Sequence, residues 1–275
     1  MLRPGRGFKV VVIQSLVIIS ALTINSFAGM IQPRRLVDSH TAGVLPRGYY
    51  DFECRVYSAG NAELGSGLMM GFNVGLTDRL DIGIMYGGEG IIGRGDVEFN
   101  ELPGVQIKYR LFEESIAGPA LALGFDNQGF GGSVDSEEFG YDGFVYKSPG
   151  FFLSASKNYI LLNRIQFGIH GMASYSLEES DVVRWPNLTV GLDVGFNEEL
   201  SFVVEYDLGF NDKSIKEEKN FAHPHRGYLN LGLRWAFTPN FYIEFDAKDV
   251  LENKGTEEGA LGWSRELKIV YYSQF

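Results

Sequence analysis

The chain has 275 residues and a formal charge of −11, an acidic excess that argues against a polyphosphate backbone as partner, so nucleic acid is not expected. Its 35 glycines, 21 Phe, 14 Tyr and 3 Trp favour strands, tight turns and close backbone approach. A single cysteine, Cys54, excludes an internal disulfide and a cysteine-based zinc site.

At the N-terminus, Arg3, Arg6 and Lys9 precede the apolar run VVVIQSLVIISALTI, and Ser26-Phe27-Ala28 fits a small-x-small cleavage site. Residues 1–28 are therefore expected to be a Sec-type signal peptide, cleaved before Gly29. Residues 29–45 have no clear period and are expected to form a short periplasmic N-terminal segment, with a barrel over 46–275. Beyond the signal, no apolar run approaches the ~18–20 residues of a membrane-spanning helix, whereas a membrane β-strand needs only ~9–11.

From residue 48 onward, alternating segments follow one another. RGYYDFECRVY sets Tyr50, Phe52, Cys54 and Val56 against Asp51, Glu53 and Arg55. GLMMGFNVGL, LDIGIMY and VQIKYRL repeat the pattern, the last opposing Ile107 and Tyr109 to Lys108 and Arg110. ALALGFD is fifth. The sixth, around FVYKSPGFFLSASK, is interrupted by Pro149, which predicts a bulge or break near one rim. RIQFGIHGMASY, LTVGLDVGF and LSFVVEYDLGF follow, the last placing Glu205 and Asp207 opposite Val204 and Tyr206. YLNLGLRWAF opposes Trp235 to Arg234, and FYIEFDAK opposes Phe245 to Glu244 and Asp246. ELKIVYYSQF is twelfth.

Connections are short after strands two, four, eight and ten, and long and polar after three, five, nine and eleven. Segregation of loops by length belongs to a membrane barrel, and bacterial barrels have even strand numbers. Twelve strands closing on an apolar interior would leave a cavity too large to fill. Turned the other way, the apolar face meets lipid, aromatics sit at the interfaces and polar residues line a lumen. The expected fold is an all-β, transmembrane, antiparallel up-and-down β-barrel of about twelve strands, in the outer membrane of a Gram-negative-type bacterium, with both termini periplasmic.

The final strand carries Leu267, Ile269, Tyr271 and Phe275 on one face. This resembles the closing strand of outer-membrane barrels generally, which ends in Phe and is read by the barrel-insertion machinery. The resemblance implies that these four residues are an assembly signal. Ser273 departs from it, since an aromatic is common there.

Candidate chemical sites are few. Gly88, Gly90 and Gly93 satisfy G-x-G-x-x-G, but RGDVEFN after them is not an amphipathic helix, so a glycine-rich external loop is expected and no cofactor. Arg94-Gly95-Asp96 spells an adhesion tripeptide short enough to recur by chance. His223 and His225, near Glu217 and Glu218, lack an evident third fixed ligand, so no metal is expected. His170, near Ser174 and Ser176, is expected in the lumen, the wrong face for a lipid-facing hydrolase, and no catalytic residue is assigned. Lys108, Arg110, Glu205, Asp207, Arg234, Glu244 and Asp246 are expected to line the lumen. They either fill it with salt bridges or form a charged path for small solutes.

The stretch GPALALGFDNQGFGG, then FFLSASKNY and FGIHG, resembles the YjbH family of outer-membrane barrels associated with exopolysaccharide. Pro119 to Gly124, Gly129 to Gly132, Ala155-Ser156-Lys157 and Gly168 occupy the matching places. The resemblance implies a non-enzymatic part in exopolysaccharide export, or passage of small hydrophilic solutes. The other reading is a structural or surface-interaction barrel with a plugged lumen. Expected partners are outer-membrane lipid, the insertion machinery, and polysaccharide or small solutes.

Overall fold

The computed structural model describes residues 22–23, 33–58, 66–93, 96–134, 143–161, 165–178, 185–211, 227–252 and 263–275. The expected signal peptide lies outside these residues except for Leu22–Thr23, whose backbone pairs with Leu161 and Ile160. Twelve strands form the wall. They are β1 Tyr49–Ser58, β2 Ser66–Thr77, β3 Leu80–Ile92, β4 Gly104–Phe112, β5 Ala120–Asp126 and β6 Gly150–Leu161. Next come β7 Ile165–Tyr175, β8 Asn187–Gly195, β9 Leu200–Asp207, β10 Tyr228–Thr238, β11 Phe241–Lys248 and β12 Ser264–Gln274.

Each strand pairs antiparallel with its sequence neighbour. β12 closes the ring on β1, with Ile269 opposite Cys54 and Gln274 opposite Tyr49. Closure leaves no unpaired sheet edge, which is what a strand structure in hydrocarbon requires. Burial alternates as the sequence does. Asp51, Glu53 and Arg55 are enclosed while Phe52 faces out, and Lys108 is enclosed between exposed Ile107 and Tyr109.

Around the outside, Ile84, Ile107, Leu153, Val190 and Phe245 form one continuous apolar belt. Soluble monomers rarely expose an apolar patch of more than a few hundred Å². Aromatics mark both margins. Trp235 and Phe237 are 4.2 Å apart between ring centres, and Tyr50 and Phe275 4.9 Å apart, at the end bearing the short turns. Tyr86 stacks on Phe99 at the end bearing the long loops.

Two expectations are corrected. The sixth segment is two elements. Gly143–Tyr146 pairs with Phe130–Val134 in a small separate hairpin, and β6 begins only at Gly150, just after Pro149. A register shift falls at Gly150 and Phe151, both opposite Tyr175, so break and bulge sit side by side at the rim. Residues 33–45 are not a periplasmic lead-in. They are folded inside the barrel, with Val37, Thr41, Ala42 and Leu45 fully enclosed. The barrel's first strand starts at Tyr49 rather than residue 46.

Candidate functional site

The luminal wall is polar because every second residue of each strand points there and cannot meet lipid. On β1, β11 and β12 it forms a charge ladder. Arg55 meets Glu53 at 2.5 Å and Glu266 at 3.0 Å. Lys248 meets Glu266 at 3.2 Å, and Lys268 meets Glu244 at 2.9 Å and Asp246 at 2.8 Å. Arg234 on β10 pairs with Glu244 and lies over the Tyr242 ring at 4.8 Å. Unpaired buried charges cost several kcal/mol each, so a wall this charged holds only if nearly every charge finds a counter-charge.

Residues 34–41 supply much of the remainder. They turn back on themselves as a tight hairpin, with Thr41 N–H bonding Arg34 O at 3.1 Å and Leu36 N–H bonding Ser39 O at 2.9 Å. Two wall carboxylates grip both legs. Asp81 accepts from Arg34 Nε at 3.2 Å on the inward leg and from Leu45 N–H at 3.1 Å on the outward leg. Asp126 accepts from Arg35 at 2.6 Å and lies 2.8 Å from His40 Nε2. Arg34 also pairs with Asp51. At the tip, Asp38 bridges Arg55 at 3.0 Å and Lys248 at 2.6 Å. Glu205 accepts the N–H groups of Asp38 and Ser39 at 3.0 and 2.8 Å. From Asp51 to Arg55 the wall advances four residues, roughly 13 Å along the strand, and the hairpin climbs with it. Apolar and ring contacts also join the segment to the wall: Leu36 and Val37 pack on Val203, Ala42 on Ala120 and Ala122, and the His40 ring stacks on Phe152 at 4.3 Å.

At the tether the chain passes close to the wall. A β-carbon on Gly75 would lie 2.1 Å from Pro46 O, so only glycine lets it by.

A second element enters from the long-loop end. Phe130, on the small hairpin after β5, packs with Tyr57, Met69 and Met85 and is 3% exposed. Its ring sits beneath Arg55 at 4.2 Å and Lys248 at 5.1 Å, and Tyr146 lies 4.4 Å from the same lysine. Glu178, in the loop after β7, clamps this cap by accepting from Phe144 N–H at 3.1 Å and Ser148 N–H at 2.5 Å. Burial raises the Glu178 carboxyl above its usual range, and those two donors oppose the shift.

All seven expected pore-lining residues face inward, yet each is engaged. Lys108 donates to Arg34 O at 3.1 Å, and Arg110 to Ala42 O at 3.3 Å and Glu113 at 2.8 Å. Glu205 holds the hairpin tip, and Asp207 accepts from Asn187 at 2.7 Å. Arg234, Glu244 and Asp246 belong to the ladder. Leu267, Ile269, Tyr271 and Phe275 share the outer face, and Phe275 N–H bonds Gly48 O at 2.9 Å. The sequence reading missed Arg34, Arg35, Asp38, His40, Phe130 and Tyr146. The density of charge in RRLVDSH was the available signal.

His170 is luminal as expected, with different neighbours. Its Nδ1 lies 2.8 Å from Ser156 Oγ and its Nε2 2.5 Å from Asp193, rather than beside Ser174 and Ser176. Ser156 Oγ also accepts from Ala42 N–H at 2.8 Å, so this trio is a socket for the hairpin. A β-carbon on Gly168 would fall 2.3 Å from Asp193 and 2.4 Å from His170, so glycine makes room for that pair. Gly88 and Gly90 lie within β3, where Gly88 and Glu89 pair with Phe99 and Glu98, and among the described residues no helix follows as a dinucleotide site demands. Arg94, Gly95, His223, His225, Glu217 and Glu218 lie outside the described residues. Among the described residues no group of three or more His, Cys, Asp or Glu is arranged to hold a metal ion.

No protein-family model matches the chain, and no curated protein matches it. Among solved structures it is similar to the KdgM porin, at 8% identity over 80% of this chain and 98% of that one, with a TM-score of 0.47. It is also similar to a COG4313 outer membrane channel from Pseudomonas putida F1, at 14% identity over 86% and 100%, TM-score 0.43. For the NanC porin the values are 12%, 82% and 99%, with 0.40. At such values the class rests on the barrel's own geometry. A closed twelve-strand antiparallel wall, apolar outside and charged within, is an outer-membrane β-barrel.

Proposed function

We propose that this chain is a gated, non-enzymatic conduit for hydrophilic solutes across the outer membrane. Exopolysaccharide is the solute class suggested by the resemblance to the YjbH family. The residues that carry this resemblance lie on adjacent strands β5, β6 and β7 and the loop between β5 and β6. One observation carries the gated reading. The charged lumen is filled by a separable hairpin, tethered at the β1 end and held largely by ion pairs and hydrogen bonds, rather than by the wall's own side chains. Water entering the lumen can replace such contacts as the hairpin moves, and few apolar contacts have to be broken for it to leave. Leu267, Ile269, Tyr271 and Phe275 would serve insertion, as an outward-facing strip that the assembly machinery can reach.

The test is single-channel recording on planar bilayers with the full chain and with residues 33–45 deleted, the deletion also combined with Phe130→Ala. Steady conductance steps that appear or enlarge on deletion support the conduit. A deleted chain that folds, judged by a heat-dependent gel shift, yet passes no current overturns it. That outcome would favour the second reading, a filled barrel acting through its acidic sequence around Asp135, Glu137, Glu138 and Asp142. The observation behind that reading is the cap, which closes the lumen from the other side through Phe130.

A further inference from the structure

Four luminal carboxylates share one arrangement. In each, one oxygen is held by a neutral donor of the barrel and the other is turned to the hairpin. Asp51 on β1 accepts from Asn73 Nδ2 at 2.6 Å on Oδ1 and from Arg34 on Oδ2. Asp81 on β3 accepts from Gln106 Nε2 at 3.0 Å on Oδ1, and from Arg34 Nε and Leu45 N–H on Oδ2. Asp126 on β5 accepts from Gln128 N–H at 2.9 Å on Oδ1, and meets Arg35 and His40 on Oδ2. Glu205 on β9 accepts from Asn230 Nδ2 at 2.8 Å on Oε1, and from the Asp38 and Ser39 N–H groups on Oε2.

The sheet itself sets these orientations, since Asp51 lies opposite Asn73 and Glu205 opposite Asn230 in the strand register. A carboxylate fixed at one oxygen is pre-organised to receive a donor at the other. Among the described residues, the ion pairs of Asp51, Asp81 and Asp126 all come from the hairpin, and Glu205 has none. Arg55, Arg234, Lys248 and Lys268 of the wall pair with other wall carboxylates. Lys108 stands across from Asp81 but donates to Arg34 O. With the hairpin gone, Lys108 can neutralise at most one of the four. The others need a counter-charge from whatever enters.

The hairpin fills this array without being fully met by it. Arg34 Nη2 and His40 Nδ1, on residues 6% and 1% exposed, have no partner among the described residues. A buried polar atom left unmet costs free energy, so a better-matched donor can displace this one. We infer that the four carboxylates are the recognition site for a linear hydrophilic solute bearing two or more ammonium or guanidinium groups, with Arg34 and Arg35 as its tethered stand-in. The inference rests on the conduit reading and names the class of solute; for a sugar chain it means free amino groups. The solute takes the place of residues 33–45 and competes for the same oxygens, so binding it and unseating the hairpin are thermodynamically linked.

The probes are a glucosamine tetramer and tetra-arginine, with an N-acetylglucosamine tetramer and a glucuronate tetramer as neutral and anionic counterparts. Each is titrated into the folded full-length chain in detergent while hydrogen exchange is followed in residues 33–45. Each is then added to the 33–45 deletion on planar bilayers, with and without Asp126→Asn or Glu205→Gln. Expected is exchange in 33–45 faster by at least about tenfold with a cationic tetramer, and unchanged in β12. The cationic tetramers should also block the deleted channel at concentrations at least about tenfold below the neutral one, an advantage lost in either variant. Action by the amino sugar alone assigns the site to sugar chains, and action by tetra-arginine alone to peptides; both keep the cationic class. Equal effects of the neutral or anionic tetramer overturn the site, as does block unchanged in both variants, which would mean adhesion to the acidic exterior only. The gel shift shows that each variant is folded. Conductance steps that no cation blocks remove the site and leave the conduit standing. Faster exchange in 33–45 without steps in the deleted chain does the reverse.

Discussion

The Arg55 guanidinium lies 4.2 Å from the centre of the Phe130 ring, while its Nη1 donates to Asp38 at 3.0 Å. One wall residue therefore touches the filler from below and the cap from above. The two closures are energetically joined through a side chain that belongs to neither.

Phe130→Ala should loosen the cap. Buried Phe→Ala changes cost about 3–5 kcal/mol, here charged to docking of the 127–149 segment rather than to the barrel. Lys147, which donates to Asn211 O at 2.7 Å, should become accessible. Limited trypsinolysis should show faster cleavage after Lys147, with the gel shift of the barrel preserved.

Asp38→Asn keeps the size of the tip residue but removes the anion between Arg55 and Lys248. Arg55 keeps Glu53 and Glu266, and Lys248 keeps Glu266, so the loss, about 1–3 kcal/mol, falls on the seating of the tip. Hydrogen exchange should speed up in residues 33–45 far more than in β1 or β12. Equal protection in variant and parent would show that the ion pairs do not hold the hairpin.

Gly168→Ala should strain the lumen beside the hairpin socket. The added methyl meets Asp193 and His170 well inside van der Waals distance, an overpacking worth about 1–3 kcal/mol. The temperature of the gel-shift transition should fall, and Gly171→Ala, whose β-carbon meets nothing nearer than 3.9 Å, serves as the control.

Arg110→Glu and Arg234→Glu should differ. Arg110 pairs with half-exposed Glu113 and reaches the hairpin only through Ala42 O, so in the 33–45 deletion its reversal should shift ion selectivity toward cations with folding intact. Arg234→Glu puts a carboxylate against fully buried Glu244, so that variant should fold poorly. Reversal potentials in a salt gradient, with the gel shift alongside, separate the two.

Which way each strand faces was legible in the sequence, because lipid and lumen demand opposite chemistry and the side-chain period is two. Lys108 between Ile107 and Tyr109, or Glu244 between Ile243 and Phe245, can face only one way. The contacts those residues make were not legible. Ser156 meets His170 through a register that no local pattern encodes. Phe144 and Tyr146 alternate like a wall strand, and only the rim break at 147–149 separates them from β6. The hairpin at 34–41 has no period because its partners surround it on all sides. A segment enclosed by charges of both signs shows no amphipathic face, and its sequence reads like a loop.

Lys268 donates to the carbonyl of Val37 across 231 positions of the chain. Asp38 meets Lys248 and Glu205 over comparable separations. A contact so distant cannot reward the chain until the intervening segment is fixed, and here the intervening segment is the whole wall. The pairs Arg34–Asp51 and Asp38–Arg55 span only 17 positions and can form with β1 alone, whereas those with Glu205, Lys248 and Lys268 wait for the later strands. The hairpin is thus held first by its neighbouring strand and locked when β12 meets β1.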